Sequence, residues 1–124
     1  MQQYQTEAAA IIETLNNYVK GIYEGNIDLL GATFYPGAQL FGDVKGAPYL
    51  KTLQQYLDGV KNRQSPKDSG KPFKGEIISL EIINSIAVAK MRMQMYAFNY
   101  FNLLSLHKID NHWVIVNKML TDVA

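Results

Sequence analysis

At 124 residues, with 48% apolar and 19% charged side chains, the chain has the length and balance of one globular domain. Twelve basic against eleven acidic residues leave a formal charge of +1, which argues against a nucleic-acid-binding face. The absence of cysteine removes disulfides, zinc–thiolate centres and thiol nucleophiles, and no apolar run approaches the ~20 residues of a membrane span.

Residues 5–24 place Ile11, Ile12, Leu15, Val19, Ile22 and Tyr23 on one stripe, the spacing of an amphipathic helix. Gly25 stops it, and Asn26 can cap a second, short helix through Leu30 to Phe34, ended by Pro36-Gly37. Residues 38–43 alternate enough for a short strand. Pro48 suits a first helical turn, and Leu50, Leu53, Leu57 and Val60 mark a third helix to about Asn62. Residues 64–72, rich in proline, serine and lysine, predict a mobile loop. Strands then follow over about 74–84, 86–97, 99–109 and 112–121. Asn84-Ser85 and Asp110-Asn111 are clear turn signals between them, and Phe98-Asn99 is a weaker one. Helices followed by a run of strands predict an α+β fold. The expected shape is a curved sheet that the helices close into a cone with a cavity.

Side chains alternate along a strand, so each strand has two faces. In 86–97 the set Ala89, Met91, Met93, Met95 and Ala97 is apolar, whereas Lys90, Arg92, Gln94 and Tyr96 are polar. The methionine face is therefore assigned to the helices, where flexible thioethers suit a cavity wall or plain core packing. In 99–109 one face carries Phe101, Leu103, Ser105, His107 and Ile109, and the other Tyr100, Asn102, Leu104, Leu106 and Lys108. In 112–121 one carries Trp113, Ile115, Asn117, Met119 and Thr121, and the other Val114, Val116, Lys118 and Leu120. Strands apolar on both faces are covered on both. A second copy of the chain, docked through Leu104, Leu106, Val114 and Val116, is the expected outer cover.

Four stretches carry a resemblance: Tyr18 to Gly25 (YVKGIYEG), Phe34 to Ala38 (FYPGA), Leu103 to Asp110 (LLSLHKID) and Trp113 to Lys118 (WVIVNK). In this order and spacing the chain resembles the nuclear transport factor 2-like superfamily, and within it the bacterial branch named putative lumazine-binding. The resemblance implies a cone-shaped, cystatin-like α+β barrel, with three N-terminal helices on a curved mixed or antiparallel sheet. The superfamily spans isomerases, dehydratases, polyketide cyclases, transport factors and kinase association domains, so the fold does not carry one function. Ketosteroid isomerases use a carboxylate base with a tyrosine and a protonated aspartic acid. Tyr18 falls on the tyrosine position, but the base position falls on Gly42 and the aspartic acid position near Ser105. That chemistry is rejected for this chain.

The cavity expected from these assignments has Tyr18, Ser105, His107, Asn117 and Thr121 as polar groups, with Tyr23 and Tyr35 near the rim. Its walls would be Met91, Met93, Met95, Phe101, Leu103 and Met119. His107 beside Asn117 could orient a ligand or move a proton. The competing reading is a core histidine satisfied by neighbours. His107 and His112 are the only histidines and no carboxylate joins them, so no metal site is expected. Ser105 and His107 lack an orienting acid. No glycine-rich phosphate loop follows a strand, and no cofactor is expected. The reading is a cytoplasmic domain binding a small hydrophobic or aromatic molecule, extending to mild chemistry such as proton transfer or dehydration. Its rival is a non-catalytic association module with a vestigial cavity, and the polarity of the cavity separates the two.

Overall fold

The computed structural model describes residues 2–123, with side chains from Tyr4 onward. Helix α1 (Gln2–Glu24) is followed by α2 (Ile27–Ala32), then strands β1 (Phe34–Val44) and β2 (Ala47–Thr52). Helix α3 (Leu53–Asn62) and the one-turn α4 (Pro66–Ser69) precede four strands, β3 (Phe73–Ile83), β4 (Ile86–Met95), β5 (Phe98–Ile109) and β6 (His112–Asp122). The sheet order is β2-β1-β6-β5-β4-β3. Only the β1–β6 pair is parallel, so the sheet is mixed. It curves without closing, because its edge strands β2 and β3 do not pair. No described helix is long and apolar enough to cross a membrane.

Most of these elements follow from the pattern. Ile11, Leu15, Tyr18 and Ile22 of α1 are buried together against Ala89, Met91 and Met93 of β4 and Ile115 of β6. Burying each such side chain contributes roughly 1.5–3 kcal/mol. Asn26 does cap α2, its Oδ1 accepting from Leu29 N at 3.1 Å. That helix ends at Ala32, and Phe34 already belongs to β1. The start of α1 is tied to the far end of the sheet through Glu7. Its carboxylate accepts from Lys108 Nζ at 2.7 Å and from Trp113 Nε1 at 2.5 Å. These two hydrogen bonds hold its pKa below the ordinary glutamate value.

Two elements differ from the pattern. Pro48 lies in β2, paired with Asp43, and not in a helix. Lys45 and Gly46, both at positive φ, make the two-residue turn of a hairpin. β2 is an edge strand, where a residue without an N–H is tolerated. Helix α3 begins five residues later at a capping box. Thr52 Oγ1 accepts from Gln55 N at 3.2 Å, and Gln55 Oε1 accepts from Thr52 N at 3.0 Å. The second difference lies in the segment read as a loop. It holds α4, capped by Ser65, opened by Pro66 and ended by left-handed Gly70.

The face assignments of β5 and β6 need correction. The turn between β4 and β5 is Tyr96-Ala97, which pairs Met95 with Phe98, Met93 with Tyr100, Met91 with Asn102 and Ala89 with Leu104. Residues directly opposite in a ladder share a face. The methionine face therefore continues through Asn102, Leu104 and Leu106, all buried. Phe101, Leu103, Ser105 and His107 lie on the outer face. On β6 a bulge intervenes: Leu106 pairs with Ile115 but Ser105 with Asn117, leaving Val116 as the extra residue. Trp113 and Ile115 face the helices before the bulge, and Lys118 and Leu120 after it. Asn117, Met119 and Thr121 are shifted outward. Leu104 and Leu106 are therefore core residues and not part of an outer surface, whereas Val114 and Val116 are half-buried on the outer side.

Candidate functional site

The inward face of the sheet carries a hollow of about 70 Å³ beside α1 and α3. Ile22 of α1, Tyr49 of β2, Tyr56 of α3 and Arg63 line one side. Met93 and Met95 of β4, Tyr100 and Asn102 of β5, and Lys118 and Leu120 of β6 line the other. Four of the six strands, β2, β4, β5 and β6, contribute side chains to it.

Lys118 is the unusual member. It is only 5% exposed. Its Nζ donates to Tyr56 Oη at 3.3 Å and sits 4.5 Å from the Tyr56 ring centre and 5.2 Å from that of Tyr18. Among the described residues no carboxylate pairs with it. A buried ammonium without a counter-charge is costly, so burial, reinforced by Arg63, draws its pKa down to about 7. The faces of the two tyrosine rings favour the cation and act against that shift.

The groups around the amine are held in place. Tyr18 is fully buried, and its hydroxyl accepts from Asn102 Nδ2 at 2.9 Å. The Tyr18, Phe34 and Tyr56 rings form a chain of edge contacts at 6.0 and 5.9 Å. Burial raises the pKa of Tyr18, Tyr49 and Tyr56, and that of Tyr100 to about 12. All four stay protonated and remain hydrogen-bond donors at neutral pH. Asn102 Oδ1 is the one buried side-chain polar atom among the described residues with no partner. A buried acceptor without a partner is rare and is an anchoring point for a donor. A neutral amine, phenol hydroxyls and a free amide oxygen can together bind a polar group and move protons on it.

Of the candidates named from sequence, Tyr18, Met93 and Met95 lie at this hollow. Met91 lies instead beneath a larger groove of about 510 Å³ between α1 and β3, lined by Asn16, Lys20, Tyr23, Lys71 and Phe73. That groove offers only partly exposed or exposed polar groups. Phe101, Leu103, Ser105, His107, Asn117 and Met119 face away, Leu103 and Met119 being 44% and 50% exposed. His107 has a structural partner, its Nδ1 lying 3.1 Å from Ser85 O in the β3–β4 turn. Thr121 donates to Asp43, and Tyr35 is exposed. Among the described residues no three histidine or carboxylate side chains converge as a metal site. Sequence reasoning missed Lys118, Asn102, Tyr56, Tyr49, Tyr100 and Arg63. The signal that could have found Asn102 is strand register, whereas Lys118 turns inward only because of the bulge at Val116.

Comparisons with known proteins bear on the same geometry. The sequence model of a family described as Putative lumazine-binding matches residues 6–121. A curated protein, "Aldolase FrzH" from Cladobotryum, is 26% identical over 117 residues, covering 92% of this chain and 90% of the relative. An NTF2-like protein of unknown function from Shewanella baltica superposes with a TM-score of 0.87 at 24% identity, covering 98% of this chain and 97% of its own. An NTF2-like protein of unknown function from Methylobacillus flagellatus gives 0.86 at 24% identity, covering 96% and 94%. A cystatin-like domain from Nostoc punctiforme gives 0.72 at 16%, covering 96% and 78%. These structural likenesses establish the fold.

Proposed function

The chain belongs to the Putative lumazine-binding family, and from that premise we propose that its hollow takes up the reactive end of a small carbonyl compound, with Lys118 moving a proton on it. The observation that carries this reading is the buried Lys118 amine, hydrogen-bonded to a phenol and unpaired with any described carboxylate. At about 70 Å³ the hollow holds little more than two waters' worth of liquid volume, at about 30 Å³ each. A fused two-ring lumazine is larger than that, whereas a ketone or aldehyde group with its neighbouring carbon fits. Removing a proton next to a carbonyl is also a step by which an aldolase makes or breaks a carbon–carbon bond. The name of the relative agrees with the reading on that point. An association module would fill the cone with apolar side chains, and the amine, amide and phenols here favour ligand chemistry.

The test is exchange of the methyl protons of pyruvate in deuterated water, followed by NMR. The wild type should accelerate exchange, with a rate that climbs as pH passes about 7 and Lys118 loses its proton. A positioned general base contributes about 10²–10⁴-fold, so Lys118→Met should lose at least about 100-fold. Equal rates for the two proteins would remove the proposal.

The outer face supports a second reading, a homodimer. Two apolar depressions of about 320 Å³ each lie on it. One is lined by Ile83, Ile86, Val88 and Val116, the other by Phe101, Leu103 and Met119. A two-fold partner can seat the ridge beside one depression into the other, and the contact then repeats reciprocally. Sedimentation should give twice the chain mass, and Leu103→Glu should give a folded monomer. A wild-type monomer at high concentration would refute this.

A further inference from the structure

We propose that Lys118 is a covalent nucleophile, forming an imine with oxo acids whose carboxylate is held by Arg63. The inference rests on the carbonyl reading above and names its substrate class. Three observations carry it, each independent of the comparisons. First, Lys118 Nζ ends in the hollow against Tyr56 Oη and the two ring faces, and among the described residues no carboxylate holds it in the protonated, non-nucleophilic form. Desolvation and a neighbouring cation are the two conditions that turn a lysine into a nucleophile, and Arg63 supplies the second. Second, Asn102 Oδ1 lines the same hollow with no partner among the described residues. Third, Arg63 lines the hollow from an exposed position and makes no ion pair among the described residues. Its guanidinium is stacked on the Tyr96 ring at 5.7 Å, and the Tyr96 hydroxyl donates to Gln64 O, which steadies the segment after α3. A free guanidinium at the mouth of a hollow with an amine inside matches a molecule with a carboxylate at one end and a carbonyl further in.

The chemistry closes without a co-reactant. The Nζ lone pair attacks the carbonyl carbon, the carbon–oxygen double bond opens, and the oxygen takes the first of the nitrogen's two hydrogens, as a proton, to become a hydroxyl. That hydroxyl is a donor for Asn102 Oδ1. It then leaves as water with a proton passed through Tyr56, whose raised pKa keeps it protonated. The nitrogen gives up its second hydrogen, as a proton, to Tyr56 as the carbon–nitrogen double bond forms, which restores the phenol. Amine and carbonyl become imine and water.

The experiment is incubation of the full chain with pyruvate and sodium cyanoborohydride, followed by intact-mass and peptide analysis. The expected product is one adduct, heavier by pyruvic acid less one oxygen atom, confined to Lys118. Lys118→Arg, which keeps the charge and loses the nucleophile, should give none. Adducts spread over surface lysines and unchanged in Lys118→Arg would overturn the proposal. The proton-exchange assay on the same sample separates the two readings. Exchange without an adduct overturns the imine and keeps the general base, and absence of both overturns the two together. Arg63→Gln removes the cation beside Lys118 and so slows trapping of pyruvate and acetone alike, and it should slow pyruvate by about a further tenfold, the loss of one charge-assisted contact. An equal effect on both compounds would overturn the oxo-acid assignment. Circular dichroism of both variants establishes that they fold.

Discussion

Gly42→Ala is expected to abolish the folded state or bring it close to collapse. Gly42 lies in β1 opposite Leu120 of the parallel neighbour β6. Its φ is +152°, and a Cβ built there would stand 1.7 Å from Leu120 O and 2.8 Å from Leu120 C. Both are backbone atoms held by ladders on two sides, so neither can swing away as the tip of a side chain would. The two strands must separate, and β6 carries Lys118 and Leu120 of the hollow. We expect a loss of more than about 4 kcal/mol, in the range reserved for overpacking and backbone strain, against a total stability of about 5–15 kcal/mol for a domain. Gly46→Ala is the control. Gly46 also has a positive φ, +80°, but nothing lies within 4 Å of the added carbon, so about 1 kcal/mol is expected. Urea denaturation followed by Trp113 fluorescence compares them. Equal losses would mean that the β1–β6 backbones are not in the close contact described. The same geometry explains why the ketosteroid isomerase base has no counterpart here: no side chain of any kind fits at Gly42.

Lys118→Met should make the protein more stable at neutral pH while removing its chemistry. The pKa of Lys118 falls from an ordinary 10.5 to about 7 on folding. Between those values the unfolded chain carries a proton that the folded chain does not. Stability therefore rises with pH across that window. The contribution is complete above about 10.5 and is lost as pH falls through about 7. A shift of this size corresponds to a penalty of about 5 kcal/mol at or below pH 7, lowered by whatever the ring faces return to the cation. Methionine has similar length and no charge to desolvate. The variant should therefore exceed wild type by a few kcal/mol at pH 6.5, on the order of a buried-charge replacement. That gap should shrink by about 3 kcal/mol between pH 7 and 9.5, at about 1.4 kcal/mol per unit. The comparison stops below pH 10, because Tyr18, Tyr56 and Tyr100 have raised values. Their stabilisation is present below the ordinary tyrosine pKa and is lost above it. Urea titrations of both proteins across this range supply the test. Parallel stability curves would mean that the amine is hydrated and would weaken every role assigned to it.

The amphipathic stripe of α1 and the four terminal strands were legible from sequence because their periodicities are long and unbroken. Pro48 was misread because a proline at a helix start and a proline in an edge strand look alike until the pairing partner is known. The inward face of β5 was within reach of sequence alone. Any two-residue turn pairs odd-numbered with even-numbered positions, so inward Met91 and Met93 require inward Asn102 and Tyr100. Hydrophobicity could not choose, because Leu103 and Leu104 are equally apolar. On β6 the obstacle was different. Alternation counted from Trp113 places Asn117 and Met119 inside, and only the bulge at Val116 reverses that. Nothing in the residues 115–117 marks a bulge, since isoleucine, valine and asparagine contain neither glycine nor proline. Lys118 was hidden for that reason: a lysine next to a methionine is ordinarily the one that faces water.

The extra residue at Val116 behaves like a shift of reading frame within a single strand. Upstream of it the odd positions are interior; downstream the even ones are. If β6 took up Val116 in regular alternation instead of bulging, Asn117 and Met119 would replace Lys118 and Leu120 inside the cone, with no change to the helices and no substitution anywhere. A fold whose interior chemistry hangs on how one extra residue is absorbed has a short evolutionary path between a reactive cavity and an inert one. This gives a material reason why relatives with nearly superimposable backbones need not share an activity.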